Sequence, residues 1–416
     1  MTLGQKSEDI LSNNRSLIFQ YLQRNGICTR AQLSKSLSLT PASITKTVAG
    51  LMDSGLVEET GFMMGEKGRR SIGIALKGDM LRVIGVKLSR RNYAVGMFDL
   101  TGNEICSRAD VFGEEEEITD ILANIKKDIN DFIERYDNIV AIGMAVPGPY
   151  FEKKGGMMLV TDTKGWNEIN LQKYFKDEFH IPMIIRHDGN SVAMAEWWQG
   201  SRVRTPQETV ISFLVAEGVG AGVIIGGEIL SGANGIATEI GHVSLDVNGP
   251  RCDCGNYGCL ELYCSSLNVV KQAKAMLPTN PDSTLKRYAK LNYHAIFEAA
   301  KAGDELAHSL VKKVGRYIGY GAVTLINAYD PSAIFISGDM VGGGDVMLQE
   351  VIKVVQERVS EHIHKNIIIE ISNLKGEPIL RGAAAVAIDY CLQRPEHLLG
   401  YLKNNGLAKG RNKAGA

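Results

Sequence analysis

Four residues of metal-ligating type lie close together in this chain. His242, Cys252, Cys254 and Cys259 fall within eighteen residues, and no other stretch of the sequence holds such a cluster. Three thiolates and one imidazole form a closed tetrahedral zinc site, which has no vacant position and is therefore structural rather than catalytic. Glycines between the cysteines let the backbone turn tightly around the ion, because glycine tolerates a positive φ.

The alternative to a metal is a disulfide or a set of free structural thiols. The chain has seven cysteines, an odd number, and its N-terminus is polar, so we expect no export signal. Disulfide frameworks are typical of exported proteins, whereas a reducing cytoplasm, the compartment we expect, favours a metal. We therefore predict structural Zn²⁺ on these four residues.

Length and composition are those of a globular protein with more than one domain. The 416 residues exceed one ordinary domain, and two or three are expected. No apolar run reaches the ~18–20 residues of a membrane span, so we expect no membrane partner. The net charge of -1 hides an asymmetry, because residues 1–76 carry nine Lys and Arg against six Asp and Glu. This basic N-terminal part indicates an anionic partner.

The basic N-terminal part has the order of elements of a winged helix–turn–helix. Apolar residues at helical spacing predict a first helix over Arg15–Gln23, and Thr29 caps a short second helix. Thr40 caps a third helix, which has a proline in its first turn. Two short strands follow, joined by a Gly-, Lys- and Arg-rich loop from Gly61 to Arg70, which predicts the wing.

The polar residues of this unit suit operator DNA. The third helix would present its first turns to base edges in the major groove, and arginines at the base of the wing would grip phosphates or enter the minor groove. We expect the first turns of this helix to expose Thr47 as well, and the predicted DNA contacts are Ser43, Thr45, Lys46, Arg69 and Arg70. The alternative is a small helical protein-interaction domain, but the basic wing favours DNA. Because the charge is modest, we expect a homodimer or a dimer of dimers.

The rest of the chain predicts an α/β fold made of two similar halves. Three strands between Leu81 and Phe112 are followed by a helix and a buried strand over Ile139–Val146. A comparable series begins at Thr209 and ends in a helix over Arg381–Cys391. Two such ribonuclease-H-like halves around a cleft form the actin-like ATPase architecture. We expect a head over residues 1–76, a first lobe over 77–186 completed by a helix at about 380–395, a second lobe over 187–379, and a tail over 396–416, frayed from Gly400.

The metal stretch also carries a family signature. Gly241-His242 followed by C-x-C-G-x-x-G-C-x-E resembles the motif of the ROK family (repressors, open reading frames and kinases). Residues 1–76 resemble the winged head of its sugar-responsive repressors, and the resemblance extends over residues 8–395. It implies a regulator of carbohydrate-utilisation genes with a monosaccharide or derivative bound in the cleft as effector.

The resemblance further implies which residues contact the sugar. Asp188, Glu239, His242 and Glu261 match the family's sugar-contacting positions, and carboxylates suit hydroxyls because each accepts two protons. Asp188 could instead cap the following helix, and the two glutamates could instead support the metal ligands. His187 stands where the family usually has Asn, which leaves room for an acidic or atypical sugar. Trp166 is expected to wall the cleft.

The resemblance breaks down at the turns that hold phosphates in the family's kinases. Lys87 replaces the metal-binding Asp after the first strand, and Glu217 brings a carboxylate into the second, glycine-rich turn. Asp339 stands where the adenosine-side turn favours glycine. We therefore expect no kinase activity and assign no catalytic residue. The alternatives are a sugar kinase with an appended DNA-binding head and a ligand-free regulator controlled by a protein partner.

Overall fold

The protein consists of an N-terminal head and two lobes. The structure, a computed structural model, describes residues 7–64, 70–113, 116–157, 165–200, 205 and 207–407. No helix within these ranges is both long and apolar enough to pass through a membrane.

The head is a winged helix–turn–helix, as predicted. Thr29 begins the second helix in a capping box with Gln32, whose Oε1 accepts from the Thr29 N–H at 2.8 Å. Thr40 caps the third helix by accepting from the Ser43 N–H at 3.2 Å. The strand order is β1-β3-β2, and both pairs are antiparallel. The elements are α1 (Ser7–Asn25), β1 (Cys28–Thr29), α2 (Arg30–Leu37), α3 (Pro41–Asp53), β2 (Val57–Met64) and β3 (Arg70–Leu76).

The first lobe is built on a five-stranded mixed sheet. Its elements are β4 (Arg82–Leu88), β5 (Asn92–Asp99), β6 (Glu104–Val111), α4 (Ile118–Arg135), β7 (Ile139–Val146), β8 (Tyr150–Phe151), β9 (Gly156–Met157), α5 (Leu171–Tyr174) and β10 (Met183–His187). The order is β10-β7-β4-β5-β6. Strands β10, β7 and β4 run parallel, and β5 and β6 complete an antiparallel meander. Strand β7 is buried along its whole length, as predicted for a parallel strand.

The second lobe repeats this strand order. Its elements are α6 (Asp188–Gln199), β11 (Thr209–Val215), β12 (Val219–Ile225), β13 (Glu228–Ile229), α7 (Glu261–Cys264), α8 (Ser266–Met276), α9 (Tyr293–Lys301), α10 (Glu305–Tyr329), β14 (Ala333–Ser337), α11 (Gly344–Arg358), α12 (Glu361–His364) and β15 (Ile368–Ile371). The order β13-β12-β11-β14-β15 again joins a meander to two parallel strands. The two predicted ribonuclease-H-like halves are thereby confirmed.

Two helices lie between the sheets and pack on each other. These are α6 and α13 (Pro378–Gln393); α13 also covers β4 and β7, and α6 also covers β11 and β12. Their backbones approach closely at Gly382, where an added Cβ would lie 2.6 Å from the backbone carbon of Ser191. The first lobe is therefore completed by a C-terminal helix that crosses directly onto the second lobe.

The head shares a hydrophobic core with the lobes. Ile18, Phe19 and Leu22 of α1 belong to the same buried cluster as Trp197 and Trp198, which end α6. Burial of large apolar side chains from all these elements joins the head firmly to the body.

The C-terminal segment differs from the expected frayed tail. Residues Pro395–Asn404 form a further helix, α14, with Leu402 fully buried. Its His397 Nε2 lies 2.8 Å from the carbonyl oxygen of Val140, and Arg15 of α1 pairs with Glu396 at 2.6 Å. The prediction of fraying from Gly400 is therefore wrong up to Asn404, because the apolar face of this short helix packs on the first lobe and the head.

Substitution Gly382→Ala should destabilise the protein by about 1–3 kcal/mol. The added methyl group would press on the backbone at Ser191, where neither helix can move without disturbing both sheets. Gly400→Ala is the matched control, because a Cβ there meets nothing within 4 Å and alanine favours a helix by up to ~1 kcal/mol. Urea unfolding of both variants measures the difference in their free energies of unfolding. Equal unfolding midpoints would contradict a tight crossing of α6 and α13.

Candidate functional site

A cavity of about 670 Å³ opens at the carboxyl ends of the central strands of both sheets. Ligands of α/β sheets bind at such edges. Its walls come from the ends of β4, β7 and β10 in the first lobe and of β11, β14 and β15 in the second. The predicted sugar contacts all line it: His187, Asp188, Glu239, His242 and Glu261.

His187 is the buried centre of this group. Its Nε2 lies 2.9 Å from Asp188 Oδ1, and its Nδ1 lies 3.8 Å from Glu239 Oε1. Burial lowers the pKa of His187, but Glu239, Asp188 and Glu152 outweigh that effect and raise the pKa to about 9. The imidazole is therefore held as a cation between carboxylates. An Asn at this position would bring no such charge.

Close backbone approach fixes the His187 ring. A Cβ added to Gly148 would collide with the ring, and one added to Gly220 would lie 3.3 Å from its Cε1. Gly148 follows β7, and Gly220 is the second residue of β12, so both lobes enclose the histidine. The ring can change its charge there but has little room to move.

Asp188 is the first residue of α6. Its Oδ1 accepts from the Gly189 N–H at 2.6 Å, while His187 occupies the cap position without a side-chain capping bond. A carboxylate in the first turn of a helix is stabilised by the helix dipole. The side chain remains 19% exposed and faces the cavity, so it can still accept from a ligand.

Glu261 joins the metal loop to the glycine-rich turn before β12. Its Oε2 accepts from the Val219 N–H at 2.9 Å, and its Oε1 lies 3.7 Å from a guanidinium nitrogen of Arg90. Glu239 is less engaged: its Oε1 has no hydrogen-bond partner among the described residues, and burial raises its pKa. One carboxylate is thus fixed, and the other retains an unfilled acceptor in the cavity.

The metal-ligating cluster is assembled as one group. Each of His242, Cys252, Cys254 and Cys259 offers one ligand atom, and these atoms all lie within 4.8 Å of one another. The Sγ atoms of Cys254 and Cys259 are 3.6 Å apart, and Cys252 Sγ lies 3.9 Å from His242 Nδ1. A tetrahedral ion ~2.3 Å from each sulfur places sulfurs roughly 3.8 Å apart. The donor set and its spacing fit such an ion, and the cluster can hold a metal.

His242 belongs to both the cluster and the cavity. Its Nδ1 is on the side of Cys252, while the residue also lines the cavity with Glu239 and Glu261. Gly258 has a positive φ of 60°, and a Cβ there would collide with the carbonyl oxygen of Asp246. The loop therefore needs glycine at this position to bring its cysteines back to His242.

The cavity also contains charges that the glycine-rich turn alone does not reveal. Lys87 Nζ lies 3.1 Å from Glu377 Oε1, at the point where β4 ends. Burial and Asp339 raise the pKa of Glu217, although nearby cations act in the opposite direction. Tyr293, on α9, hydrogen-bonds to Asp339, and burial together with that carboxylate raises the pKa of its phenol.

The predicted DNA contacts on α3 are unequally placed. Thr45 and Lys46 are exposed, whereas Ser43 is half-buried and accepts from Asn14 Nδ2 at 3.1 Å. Thr47 is only 2% exposed, so the prediction that it is exposed is wrong: its position on α3 turns it into the head's core. Arg70 begins β3 and is exposed. Arg69 lies outside the described residues.

Sequence reasoning missed three charged residues around the site and misplaced one aromatic. Arg186 directly precedes His187 and pairs with Glu152 at 3.1 Å. Arg186 could have been noticed at the end of its strand, but nothing in the sequence brings Glu152 or Arg90 to this site. Trp166 is 1% exposed and packs near Phe112 in the first lobe, away from the cavity lining, so its expected role in the cleft is wrong.

Comparisons with known proteins agree with this architecture. Residues 83–390 match the ROK family. The chain is 26% identical over 391 residues to a xylose repressor of Caldicellulosiruptor bescii, covering 92% of this chain and 97% of that protein. A solved ROK family transcriptional regulator, a homologue of the Escherichia coli MLC protein, has a TM-score of 0.79 at 25% identity over 94% of this chain and 99% of its own. A ROK family glucokinase from Streptomyces griseus, solved with glucose and AMPPNP, has a TM-score of 0.65 at 24% identity. The match covers 74% of this chain and 99% of the glucokinase chain, and it shows a shared fold.

The charge on His187 should make stability depend on pH. Because its pKa is raised to about 9, the stabilisation is complete below ~6.5, the usual histidine value, and is lost as pH rises through about 9. As pH rises across this window, the free energy of unfolding of the wild type should fall by up to about 3 kcal/mol relative to that of His187→Asn. Urea unfolding at several pH values measures it, with exposed His362→Asn as control. Parallel curves for wild type and His187→Asn would show that the histidine is not charged.

Proposed function

Because the chain belongs to the ROK family, we propose that it is a sugar-responsive DNA-binding transcriptional regulator, a repressor of carbohydrate-utilisation genes. The observation that carries this proposal is the presence, in one chain, of a winged helix–turn–helix and a carboxylate-lined cavity between two lobes. The likeness to a named xylose repressor over nearly the whole of both chains supports the same combination. The protein would act in the cytoplasm, where its operator is.

Operator DNA would contact α3 and the wing. Thr45 and Lys46 on the exposed face of α3 suit base edges, and Arg70 at the start of β3 suits a phosphate or the minor groove. Arg69 and Ser43 complete the proposed contact set. A single modestly charged head binds weakly, so a homodimer on an inverted repeat, or a dimer of dimers, would supply the affinity.

A monosaccharide or derivative would bind where His187, Asp188, Glu239, His242 and Glu261 meet. The carboxylates accept hydroxyl protons, and His242 offers the ring nitrogen opposite its metal-facing one. The charged His187 offsets part of the negative charge and would favour a ligand that tolerates a buried cation. An acidic sugar is one such ligand.

The effector would act on the head through α6. This helix begins with Asp188 in the cavity and ends with Trp197 and Trp198, and Arg24 of α1 stacks over both indoles at 4.4 and 4.7 Å. Closure of the lobes on a sugar would tilt α6 and with it the head. A sugar can shift this equilibrium only by its difference in affinity for the two lobe arrangements.

Structural Zn²⁺ is the proposed metal. Three sulfurs and one imidazole nitrogen are a donor set that zinc prefers, and all four positions are filled by protein. The ion would supply no chemistry to a ligand. Held by it, the loop keeps His242 and Glu261 in place at the cavity.

A sugar kinase with a DNA-binding head is the alternative, since the fold is shared with a glucokinase and Asp188 matches the family's kinase base. Two residues oppose it. Lys87, paired with Glu377, stands in place of the family's metal-binding Asp, and Glu217 adds a buried carboxylate where phosphates would lie. We therefore propose that the protein is not an enzyme.

Cys254→Ser should lose the metal, because a serine hydroxyl is a poor zinc ligand. Wild type purified with zinc should carry one equivalent per chain by elemental analysis, and the variant far less, with a lower melting temperature. Cys106→Ser, in β6 and outside the cluster, is the control and should keep its zinc. Full zinc retention by Cys254→Ser would refute the assignment.

Fluorescence anisotropy with the DNA upstream of its own gene tests the regulator itself. The zinc-loaded protein should bind, and one sugar of a monosaccharide panel should weaken binding at least tenfold. Asp188→Asn should bind DNA normally but resist release by the sugar.

Arg70→Ala should weaken DNA binding and reduce the slope of log affinity against log salt concentration by about one. Lys301→Ala on α9 should change neither the affinity nor the slope.

Three outcomes separate the alternatives. DNA binding that no sugar changes would favour a regulator controlled by a protein partner. ADP release with any sugar, abolished by Asp188→Asn, would restore the kinase. Failure to bind DNA at low salt would exclude an operator-binding role.

A further inference from the structure

The cavity is larger than the sugar group it contains. The same cavity of about 670 Å³ is also lined by Lys87, Glu217, Tyr293, Ser337, Asp339 and Glu377, none of which belongs to the group proposed to contact a monosaccharide. This volume falls within the ~300–1,000 Å³ range of pockets that bury a drug-sized ligand. We call these six residues the far half.

The far half is poorly suited to phosphates. Glu217, Asp339 and Glu377 bring three carboxylates, and the ammonium group of Lys87 is already within 3.1 Å of Glu377. Arg90 lies beside Glu261, so its charge is also offset. Like charges would repel a nucleotide or sugar phosphate in so small a volume. A ligand of the far half should be neutral.

The far half has unfilled hydrogen-bonding groups. Ser337 Oγ and Glu217 Oε2 are buried without a hydrogen-bond partner among the described residues, and both residues line the cavity. Ser337 is only 2% exposed. A buried polar atom left without a partner is unfavourable, so each would gain from a ligand hydroxyl. Burial and Asp339 raise the pKa of Glu217, although Arg90, Arg91 and Lys87 act in the opposite direction.

An aromatic pair closes the far half. The rings of Tyr293 and His294 are 4.1 Å apart, and both residues line the cavity. An aromatic side chain with a polar tip offers an apolar face and a hydroxyl together, as a pyranose ring needs. Carboxylates, a hydroxyl and an aromatic face are the donor, acceptor and stacking groups that suit a neutral polyhydroxyl.

We propose that the far half is a subsite for a second sugar unit, so that a disaccharide is a stronger effector than the corresponding monosaccharide. This inference rests on the proposed function, because it extends the same effector site. The first unit would lie among Asp188, Glu239 and Glu261, and the second would hydrogen-bond to Ser337 and Glu217 and stack on Tyr293.

Calorimetry with matched sugars tests the subsite. The zinc-loaded protein is titrated with glucose against cellobiose and gentiobiose, xylose against xylobiose, and N-acetylglucosamine against its β-1,4-linked dimer. In one of these three sugar series, the disaccharide should bind at least roughly tenfold more tightly than its monosaccharide, because the second unit adds its own contacts. That disaccharide should also release DNA at a correspondingly lower concentration.

Two variants show which residues provide the higher affinity for the disaccharide. Ser337→Ala should reduce disaccharide affinity about three- to tenfold, the value of one lost hydrogen bond, and leave monosaccharide affinity unchanged. Ser212→Ala is its matched control, because Ser212 Oγ is also buried and without a partner among the described residues but does not line the cavity. Tyr293→Ala should remove most of the remaining disaccharide advantage.

The outcomes separate this inference from the proposed function. If every monosaccharide binds as tightly as its disaccharide, the subsite is refuted while the regulator stands. If ADP binds in the far half, the subsite is refuted in favour of a retained nucleotide site. If no member of the panel binds while DNA does, both the sugar effector and the subsite fail.

Discussion

The close crossing of α6 and α13 between the two sheets is the constraint on which the rest of the structure depends. Gly382 brings the two helix backbones together, and Gly143 and Gly85 let α13 lie directly on β7 and β4. Gly222 does the same for α6 on β12. A tightly packed interior transmits displacement because it compresses little. The two lobes therefore cannot move without moving these helices.

This crossing joins three sites that are far apart in the sequence. The N-terminus of α6 carries Asp188 at the cavity, and its C-terminus carries the two indoles that hold Arg24 of the head. Burial lowers the pKa of Arg24 to about 10, which is still well above neutrality, so the cation remains in place over the rings. Helix α14 packs against α1 and α13, so the C-terminal part of the chain also supports the head. A regulator needs such a continuous connection between its effector and its DNA contacts.

The cavity itself combines a fixed side with a responsive side. Glu261 is held by the Val219 N–H and by the loop that carries the metal-ligating cluster, so its position does not depend on a ligand. His187 Nδ1 and Glu239 Oε1 lie 3.8 Å apart, and Glu239 Oε1 has no hydrogen-bond partner among the described residues. This division would let the proposed effector site be preorganised for binding and still respond to its ligand.

The sequence alone determined the features that depend on neighbours along the chain. The metal-ligating cluster, the capping residues Thr29 and Thr40 and the strand meanders follow from short-range spacing, and the family motif placed Asp188 and Glu261 at the cavity. Only the tertiary structure decided which side of α3 Thr47 occupies, that Trp166 lies in the core, and that Glu152 approaches His187. Helix rotation and loop placement are set by packing against residues far away in sequence, and local patterns carry no record of those contacts. The pairing of Lys87 with Glu377 joins positions nearly three hundred residues apart, so only the folded chain could reveal the charge of the far half.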